Sequence, residues 1–169
     1  PSRGCGVARV TCWSDGVPGT TVSAFDRGLH YGDGLLGTMT CRNGGLRFAE
    51  LHWRRLEQGC ARLGIDALDL DALRREAAAA CTIEESIIKV IVTRGSGARG
   101  YTPGHSGSPT RIVLRSPMPR DREAFWTQGV RVAWSSISLA TQPRLAGIKH
   151  LNRLEQVLAR AELAGSTDN

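Results

Sequence analysis

The segment SIIKVIVTRGSGARGY, Ser86 to Tyr101, carries the strongest structural signal in the sequence. Its first nine residues form a nearly continuous apolar run, which predicts a β-strand over 86–94. A long glycine-rich loop follows, and then a second apolar run, TRIVLRSPM, which predicts another strand over 110–118. The sequence therefore predicts two strong strands joined by a polar loop.

The loop between these strands begins RGSGARGY and combines flexible backbone with Arg94 and Arg99. Guanidinium groups on such a backbone suit the binding of carboxylates or phosphates. The loop does not match the Walker or dinucleotide-binding fingerprints, because both require a helix at a fixed distance. An RNA-binding RG segment is the alternative, but such segments lie in low-complexity tails, whereas this one lies between two strands.

Two helices are predicted before Ser86. Apolar residues repeat at helical spacing after Glu50, and Gly64 is a typical residue for the end of that helix. A second helix is predicted from Leu70 to Cys81, with Asp69 or Asp71 as its N-cap and an alanine-rich body.

Two hairpins are predicted nearer the N-terminus. Their strands are Val7–Trp13 with Thr20–Ala24, and Leu35–Cys41 with Leu46–Phe48. Asp15-Gly16 and Asn43-Gly44 are turn signals at the two hairpins. The glycine-rich segment DRGLHYGDGLLGT, which begins at Asp26, is predicted as a loop between them.

The C-terminal part is predicted to begin a second domain. PMPRDRE, residues 117–123, has two prolines, four charges and no periodicity, so it is predicted as a linker. Val130–Ser136 is predicted as a strand, and a helical face is marked by Leu151, Leu154, Val157, Leu158 and Ala161. One strand and one helix do not make a second core. We therefore expect a first α/β domain over 1–118 and an incomplete second domain over 119–169.

Composition places the chain among ordinary globular proteins. Its 169 residues are 41% hydrophobic and 22% charged, and no apolar run approaches the roughly 20 residues of a membrane span. The N-terminal residues lack the apolar core of a signal peptide, so we expect a cytoplasmic protein without membrane association. The net charge of +6 fits nucleic acid or small anionic substrates. Scattered arginines and only 5% aromatic residues argue against nucleic acid.

Cysteine and histidine spacing gives no sign of a metal site. The five cysteines are odd in number, widely spaced and without a CxxC pair, and the four histidines lack metal-ligand spacing. The same spacing argues against a disulfide framework. We therefore expect free cysteine thiols, mostly buried, and no metal.

Lys149 is unusual because 20 of the 22 cationic residues are arginine, and Lys89 is the only other lysine. An amine can lose its proton and attack a carbonyl group, whereas a guanidinium effectively cannot. Lys149 also comes just before the predicted C-terminal helix, whose positive N-terminal end favours the neutral amine. An exposed lysine without a special role is the alternative, and the residues alone favour it.

Several other residues have two interpretations. Arg54 and Arg55 near a helix N-terminus suit phosphate binding, or they lie on a solvated helix face. Gly32 and Gly34 permit close approach of the backbone to a ligand near Tyr31, Asp33 and Thr38, although Asp33 also fits a turn.

Four segments together resemble the class IV pyridoxal-phosphate enzymes. They are FDRGLHYGDG, LHWRRL, VTRGSGARGY and LAGIKHLNRLEQVLARAE, in this order and spacing. Within that class the sequence is most similar to the aminodeoxychorismate lyases. RGSGARGY and GIKHLNRLEQVLARAE are the specific parts, because branched-chain and D-amino-acid aminotransferases have other sequences there. The resemblance covers nearly all of the chain from Asp26 onward.

The resemblance implies an α+β, two-domain fold of type IV, similar to that of D-amino-acid aminotransferase. It also implies residue roles. Lys149 would carry pyridoxal phosphate (PLP) covalently and transfer a proton, and Arg55 would bind the cofactor phosphate. Thr38 would assist proton transfer. The substrate pocket would be lined by Tyr31, Arg94, Arg99 and Tyr101.

The implied reaction converts 4-amino-4-deoxychorismate, a small anionic substrate, into 4-aminobenzoate and pyruvate, a step of folate biosynthesis. A homodimer with its pocket near the subunit interface is also implied. A class IV aminotransferase that uses the same Lys149 is the alternative activity. A non-catalytic protein that binds nucleic acid is a third hypothesis.

The sequence departs from the family in two respects. Leu36-Gly37 stands where the family commonly has Phe-Glu or Phe-Thr, which concerns the pocket lining. Full members continue for about a hundred further residues, the size of an ordinary domain, which complete the second domain. A molecule ending at Asn169 is expected to bind the cofactor weakly and to have little or no activity.

Overall fold

The computed structural model describes residues 10–103, 107–119 and 122–165. The strands within these residues are β1 (Thr11–Ser14), β2 (Val17–Pro18), β3 (Gly34–Arg42), β4 (Gly45–Leu46), β5 (Ser86–Thr93) and β6 (Thr110–Pro117). The helices are α1 (Arg27–Tyr31), α2 (Ala49–Leu63), α3 (Leu70–Ala80), α4 (Arg122–Gln128) and α5 (Leu154–Gly165). The described strands form one antiparallel sheet in the order β2-β1-β6-β5-β3-β4.

Strand β5 lies at the centre of the sheet, which confirms the prediction from its apolar run. Val90 lies opposite Gly37 of β3 and Val113 of β6. Ile88, Val90 and Val92 are at most 1% exposed. Because side chains alternate between the two faces of a strand, the residues between them lie on the opposite, open face.

Helices α2 and α3 cover the other face and form the core with it. Trp53 and Leu56 of α2 and Leu73 and Ala77 of α3 are buried in the same cluster as the inward residues of β3, β5 and β6. A fully buried side chain of this kind contributes about 1.5–3 kcal/mol by removal from water. This sheet and helix pair form the rigid support for one wall of the candidate site.

The predicted boundaries of α2 and α3 are confirmed. Gly64 ends α2 in a left-handed conformation, with φ 65°, and its N–H bonds to the Ala61 and Cys60 carbonyls. Asp69 caps α3, because its side chain accepts a hydrogen bond from the Ala72 N–H at 2.8 Å. Glycine and aspartate have the local preferences that such ends require.

The N-terminal hairpin differs from the prediction. Its return strand is Val17–Pro18, whereas Thr20–Ala24 is not a strand, and residues 7–9 lie outside the described residues. The two-residue turn at Asp15-Gly16 brings the chain back at once, with both residues at positive φ. The second hairpin turns at Asn43-Gly44 as predicted, although its return strand β4 is shorter.

The segment predicted as a loop after Asp26 contains helix α1. Asp26 caps this helix by accepting the Gly28 N–H at 2.8 Å, and Gly32 ends it with φ 64°. The sequence has both end signals, the N-cap aspartate and the C-terminal glycine. The helix was missed because the five residues between them are too few to show helical periodicity. It turns the chain into β3 beside the glycine-rich loop.

The part after β6 contains further differences. Val130–Ser136 is not a strand and is exposed, since no segment within the described part of the chain pairs with it. Helix α4 begins inside the predicted linker. Among the described residues no helix has both the length and the apolar character needed to cross a bilayer.

Helix α5 begins at Leu154, five residues after Lys149, so Lys149 does not adjoin the helix as predicted. The segment 149–151 instead pairs with the start of β3. The Leu36 N–H donates to the Lys149 carbonyl at 2.9 Å, and the Leu151 N–H donates to the Gly34 carbonyl at 3.0 Å. Of the predicted apolar face, Leu154, Val157 and Leu158 are exposed.

Cys41 and Cys81 form a disulfide, and the expectation of free thiols is wrong for this pair. Cys41 is the second-last residue of β3 and Cys81 follows α3. Their Cα atoms lie 5.6 Å apart although 40 positions separate them in sequence. Spacing rules miss such a pair because packing of the sheet and helix brings it together. Cys12 and Cys60 are free thiols, and Cys5 lies outside the described residues.

Candidate active site

Thr38 lies on the open face of the sheet. It is exposed on β3, between the buried Gly37 and Met39. Its cross-strand neighbour is Lys89 of β5, and side chains paired in this way lie about 5 Å apart. Lys89 shares the open face because its neighbours Ile88 and Val90 point into the core. A hydroxyl and an ammonium therefore lie side by side.

Lys149 is held near the open face by its own backbone. Its carbonyl accepts the Leu36 N–H, and the preceding Ile148 is buried in the core. Burial lowers the pKa of the Lys149 amine, and the charges of Arg153, Arg55 and Lys89 lower it further. The direction matches the sequence prediction, but the cause is burial and neighbouring cations rather than the end of a helix.

Arg55 lies on the side of α2 that approaches Lys149, whereas Arg54 is exposed to solvent. The Arg55 Nη2 is 3.4 Å from the Nδ1 of His52. Burial lowers the pKa of His52, and the charges of Arg55 and Lys149 add to this effect. Helix α2 and the 149–151 segment thus concentrate positive charge around one amine, an arrangement that suits an anion such as a phosphate.

A shallow pocket of ≈ 250 Å³ connects the Thr38 face with α2. Its lining residues are Thr38, Thr40, Arg42, Arg47, Phe48 and His52. The positions of Thr38 and His52 on its wall show that the strand hydroxyl and the cationic side of α2 face the same space.

A second group of polar residues surrounds Asp33, at the start of β3. The Arg27 Nε donates to its Oδ2 at 2.9 Å, and the Arg94 Nε donates to the same oxygen at 2.7 Å. Arg94 also donates to the carbonyls of Leu63 and Gly64 at the end of α2, at 2.7 Å each. The Arg94 guanidinium is therefore engaged by neighbouring groups of the protein.

The aromatic residues predicted to line the pocket lie together beside this group. The rings of Tyr31 and Tyr101 are 5.4 Å apart, and the Arg27 guanidinium lies 4.8 Å from the Tyr31 ring centre. Tyr101 is 86% exposed. Arg99 is also exposed, and its side chain has no hydrogen-bond or ion-pair partner among the described residues.

A pocket of ≈ 300 Å³ joins this aromatic group to the segment that carries Lys149. Its walls include Tyr31, Tyr101, Leu145, His150 and Asn152. The buried Nδ1 of His150 has no hydrogen-bond partner within the described part of the chain. Burial lowers the pKa of His150, the charge of Arg153 lowers it further, and that of Glu155 opposes the shift.

The predicted residues thus form two neighbouring groups. Lys149, Arg55 and Thr38 belong to the cationic group, and Tyr31, Arg94 and Tyr101 belong to the group around Asp33. Sequence reasoning gave no role to Arg27 or Lys89. Lys89 had a usable signal, since it is the only charge within the apolar run of β5. Arg27 had none, because its partners are up to 74 positions away.

Chemically, the first group offers an amine with a lowered pKa, a neighbouring hydroxyl and several cations. Such an amine can attack an aldehyde or accept a proton. The cations can hold a phosphate or carboxylate nearby.

Comparison with known proteins assigns this arrangement to a family. A family model described as amino-transferase class IV matches residues 34–167, most of the chain. The chain belongs to the class IV aminotransferase family. The resemblance inferred from the four sequence segments is confirmed.

Similar members of the family include aminodeoxychorismate lyases. A lyase of that name from Vibrio harveyi is 36% identical over 155 residues, which cover 91% of this chain and 57% of the relative. The crystal structure of 4-amino-4-deoxychorismate lyase from Pseudomonas aeruginosa has a TM-score of 0.83 and 53% identity, over 89% of this chain and 56% of that one.

A more distant relative was solved with PLP bound. This hypothetical aminotransferase from Mycobacterium tuberculosis has a TM-score of 0.69 and 26% identity, over 93% of this chain and 60% of that one. The present chain therefore spans little more than half the length of these three proteins. Within that span the predicted α+β, type IV fold is confirmed.

Proposed function

We propose that the protein is a PLP-dependent lyase that converts 4-amino-4-deoxychorismate into 4-aminobenzoate and pyruvate. The observation that carries the proposal is the Lys149 amine, whose pKa is lowered beside Arg55 and Lys89 in a chain similar to such lyases. We further propose that it acts in the cytoplasm, and that it forms a homodimer, as the family resemblance implies.

The residues around Lys149 fit the cofactor. PLP presents an aldehyde and a phosphate, and an amine that is neutral at lower pH than usual attacks an aldehyde readily. Among the described residues, Arg55 has one long hydrogen-bond contact, to His52, so guanidinium N–H groups remain to bind the phosphate. When bound, PLP supplies an electron sink for the substrate carbon that bears the amine.

Lys149 would also act as the base. Its amine would accept the proton from the ring carbon that bears the substrate amine, and its lowered pKa keeps it able to do so. The C–O bond to the enolpyruvyl group would then break, and the ring would become aromatic. Thr38, beside Lys89 on the open face, would pass a proton during departure of pyruvate.

The pocket lined by His150, the residue after Lys149, suits an anionic ring substrate. Tyr31 and Tyr101 offer aromatic surface on one wall. Arg99 lies in the same loop as Tyr101 and has an exposed guanidinium without an internal partner among the described residues. We propose that Tyr31, Arg99 and Tyr101 contact the substrate. Arg94 belongs to the predicted lining, but its guanidinium is bound to Asp33 and to the carbonyls of Leu63 and Gly64.

A class IV aminotransferase is the second candidate, because the PLP-bound relative is a hypothetical aminotransferase. It would use the same amine but pass the amino group to a keto acid. Incubation with aminodeoxychorismate, or with D-alanine and 2-oxoglutarate, separates the two activities. Release of pyruvate with 4-aminobenzoate supports the lyase, whereas glutamate formation without activity on aminodeoxychorismate supports the aminotransferase.

Reductive trapping tests the cofactor site. The protein is incubated with PLP, treated with borohydride and mapped by peptide mass spectrometry. Because the sequence has only Lys89 and Lys149, the two positions are easily distinguished. We expect an adduct at Lys149, which K149R abolishes and the control K89R retains. A label at Lys89, or an equal label on K149R, would contradict the proposal.

A further inference from the structure

Arg27 is an unusual arginine because it is buried, at 5% exposure. Its Nε donates to Asp33, and its two terminal nitrogens donate to the backbone carbonyls of Gly100 and Tyr101, at 2.9 and 3.1 Å. One side chain thus connects the start of β3 with the middle of the glycine-rich loop between β5 and β6. The two carbonyls belong to residues that flank the proposed substrate pocket.

Asp33 connects Arg27 to Arg94. Both Asp33 oxygens accept hydrogen bonds from Arg94, and one of them also accepts from Arg27. Burial disfavours the charged carboxylate, but the hydrogen bonds and charges of Arg94 and Arg27 outweigh it and hold the pKa of Asp33 below its usual value. The carboxylate therefore stays ionised between two guanidinium groups across the neutral pH range.

The loop is shaped to meet this pair. A Cβ at Gly97 would lie 2.9 Å from the Arg27 side chain, so only glycine allows the close approach. The Gly100 N–H donates to the Tyr31 hydroxyl at 3.3 Å. Tyr31 therefore meets the loop directly, while Arg27 holds the adjacent carbonyls.

We propose that Arg27, Asp33 and Arg94 form a positioning clamp for loop 95–103. In this clamp Arg94 anchors Asp33 to the end of α2, Asp33 orients Arg27, and Arg27 holds the loop backbone. Arg94 then acts through the clamp and not as a substrate ligand. Arg99, two residues before Tyr101 in the same loop, is exposed and keeps a guanidinium without a partner among the described residues. The substrate part of this inference rests on the proposed function.

The physical effect of the clamp is pre-organisation. A glycine-rich loop loses conformational freedom when it must be ordered on binding. The clamp orders the loop beforehand, so its loss weakens substrate binding more than it slows the chemical step at Lys149. A rise in KM with little change in kcat distinguishes loss of the clamp from loss of general stability. Loss of stability lowers the amount of active protein without changing KM.

The first test measures the loop directly, by hydrogen–deuterium exchange of peptides covering 95–103. D33N keeps the shape of Asp33 but removes its charge, and R27K keeps the charge of Arg27 but cannot hold Asp33 and both carbonyls at once. We expect exchange in the loop to become about tenfold faster in both variants, because hydrogen bonds to charged groups are lost. Strands β3 and β5 should keep their protection.

E76Q is the matched control. Glu76 pairs with Arg111 at 3.0 Å, with side-chain exposures of 16% and 19%, close to the 14% of Asp33 and Arg94. It lies on α3, away from the loop. E76Q should lower Tm in a similar way but leave exchange in 95–103 unchanged. Equal acceleration in E76Q and D33N, or none in D33N and R27K, would overturn the clamp.

The second test measures turnover of aminodeoxychorismate. We expect D33N and R27K to raise KM about tenfold, with kcat within about twofold. R99K should raise KM while loop exchange stays as in the wild type. A D33N variant that lowers kcat at unchanged KM would contradict a positioning role. If the wild type releases no pyruvate from aminodeoxychorismate, the proposed function fails, and the exchange experiment still decides the clamp.

Discussion

The two faces of the sheet differ in what they contribute. The face covered by α2 and α3 carries Leu35, Met39 and Val90, each at most 2% exposed, and forms the core. The open face carries Thr38 and Lys89 on the same strands. Because side chains alternate along β3 and β5, residues of the core and residues of the proposed active site are neighbours in sequence. Substitutions on neighbouring positions should separate the two properties.

The largest expected effect is on the open face. T38V removes the hydroxyl and keeps the shape, so we expect the rate of pyruvate release to fall by about 10²–10⁴-fold, as for loss of a proton-transfer group. The midpoint of urea unfolding should stay within experimental error, since Thr38 is exposed. A full rate with T38V would remove Thr38 from the proposed mechanism.

The covered face should show the reverse pattern. L35A removes a side chain that is 1% exposed and packs closely against Gly59 of α2, and we expect a loss of about 2–5 kcal/mol in the free energy of unfolding. Chemical denaturation measures this loss. L36A, one residue along, is the control and should lose much less. Similar losses for both variants would show that the faces are not distinct.

The disulfide should stabilise the covered face. Reduction of the Cys41–Cys81 bond, which closes a loop of 40 residues, is expected to lower the free energy of unfolding by about 2–4 kcal/mol. Denaturation with and without dithiothreitol measures the difference, and C41S/C81S should be insensitive to the reductant. C12S is the control that keeps the reductant effect. Alkylation of all cysteines in the untreated native protein would show that the bond does not form.

The smallest expected effect concerns the charge of Lys89. Burial is the largest cause of the lowered pKa of Lys149. The charges of Arg153, Arg55 and Lys89 lower it further. K89M removes the Lys89 charge, so the pKa of Lys149 should rise towards its ordinary value. The neutral amine then requires higher pH, and the acid limb of the pH–rate profile should move to higher pH. A shift to lower pH would contradict the electrostatic arrangement.

The elements with strong local signals were predicted correctly. Helices α2 and α3 have periodic apolar patterns and suitable end residues, such as Gly64 and Asp69. Strands β5 and β6 have apolar runs. Val130–Ser136 had the same kind of pattern but forms no strand, because a strand also requires a neighbour. Pattern gives the tendency of a segment, and pairing decides whether that tendency is realised.

The residues of the candidate site show the same division. Lys149 was found because an amine is rare in this sequence, and its low pKa was expected. Of the cations that lower this pKa, Arg153 is close in sequence, but Arg55 and Lys89 come from α2 and β5, far away along the chain. The roles of Thr38, Arg55, Tyr31, Arg99 and Tyr101 came from family resemblance and stay predictions. Arg94 was identified as important for the same reason, although its contacts indicate a positioning role.

The sequence by itself determined the family, the principal helices and strands, and the rare amine, since each depends on residue types at short or regular spacing. Only the tertiary structure decided the Cys41–Cys81 bond, the two groups around Lys149 and Asp33, and the separation of the sheet faces. The physical reason is that a periodic pattern of residue types determines local structure along the chain. Contacts across 40 to 70 positions instead depend on strand register and on how helices pack over the sheet.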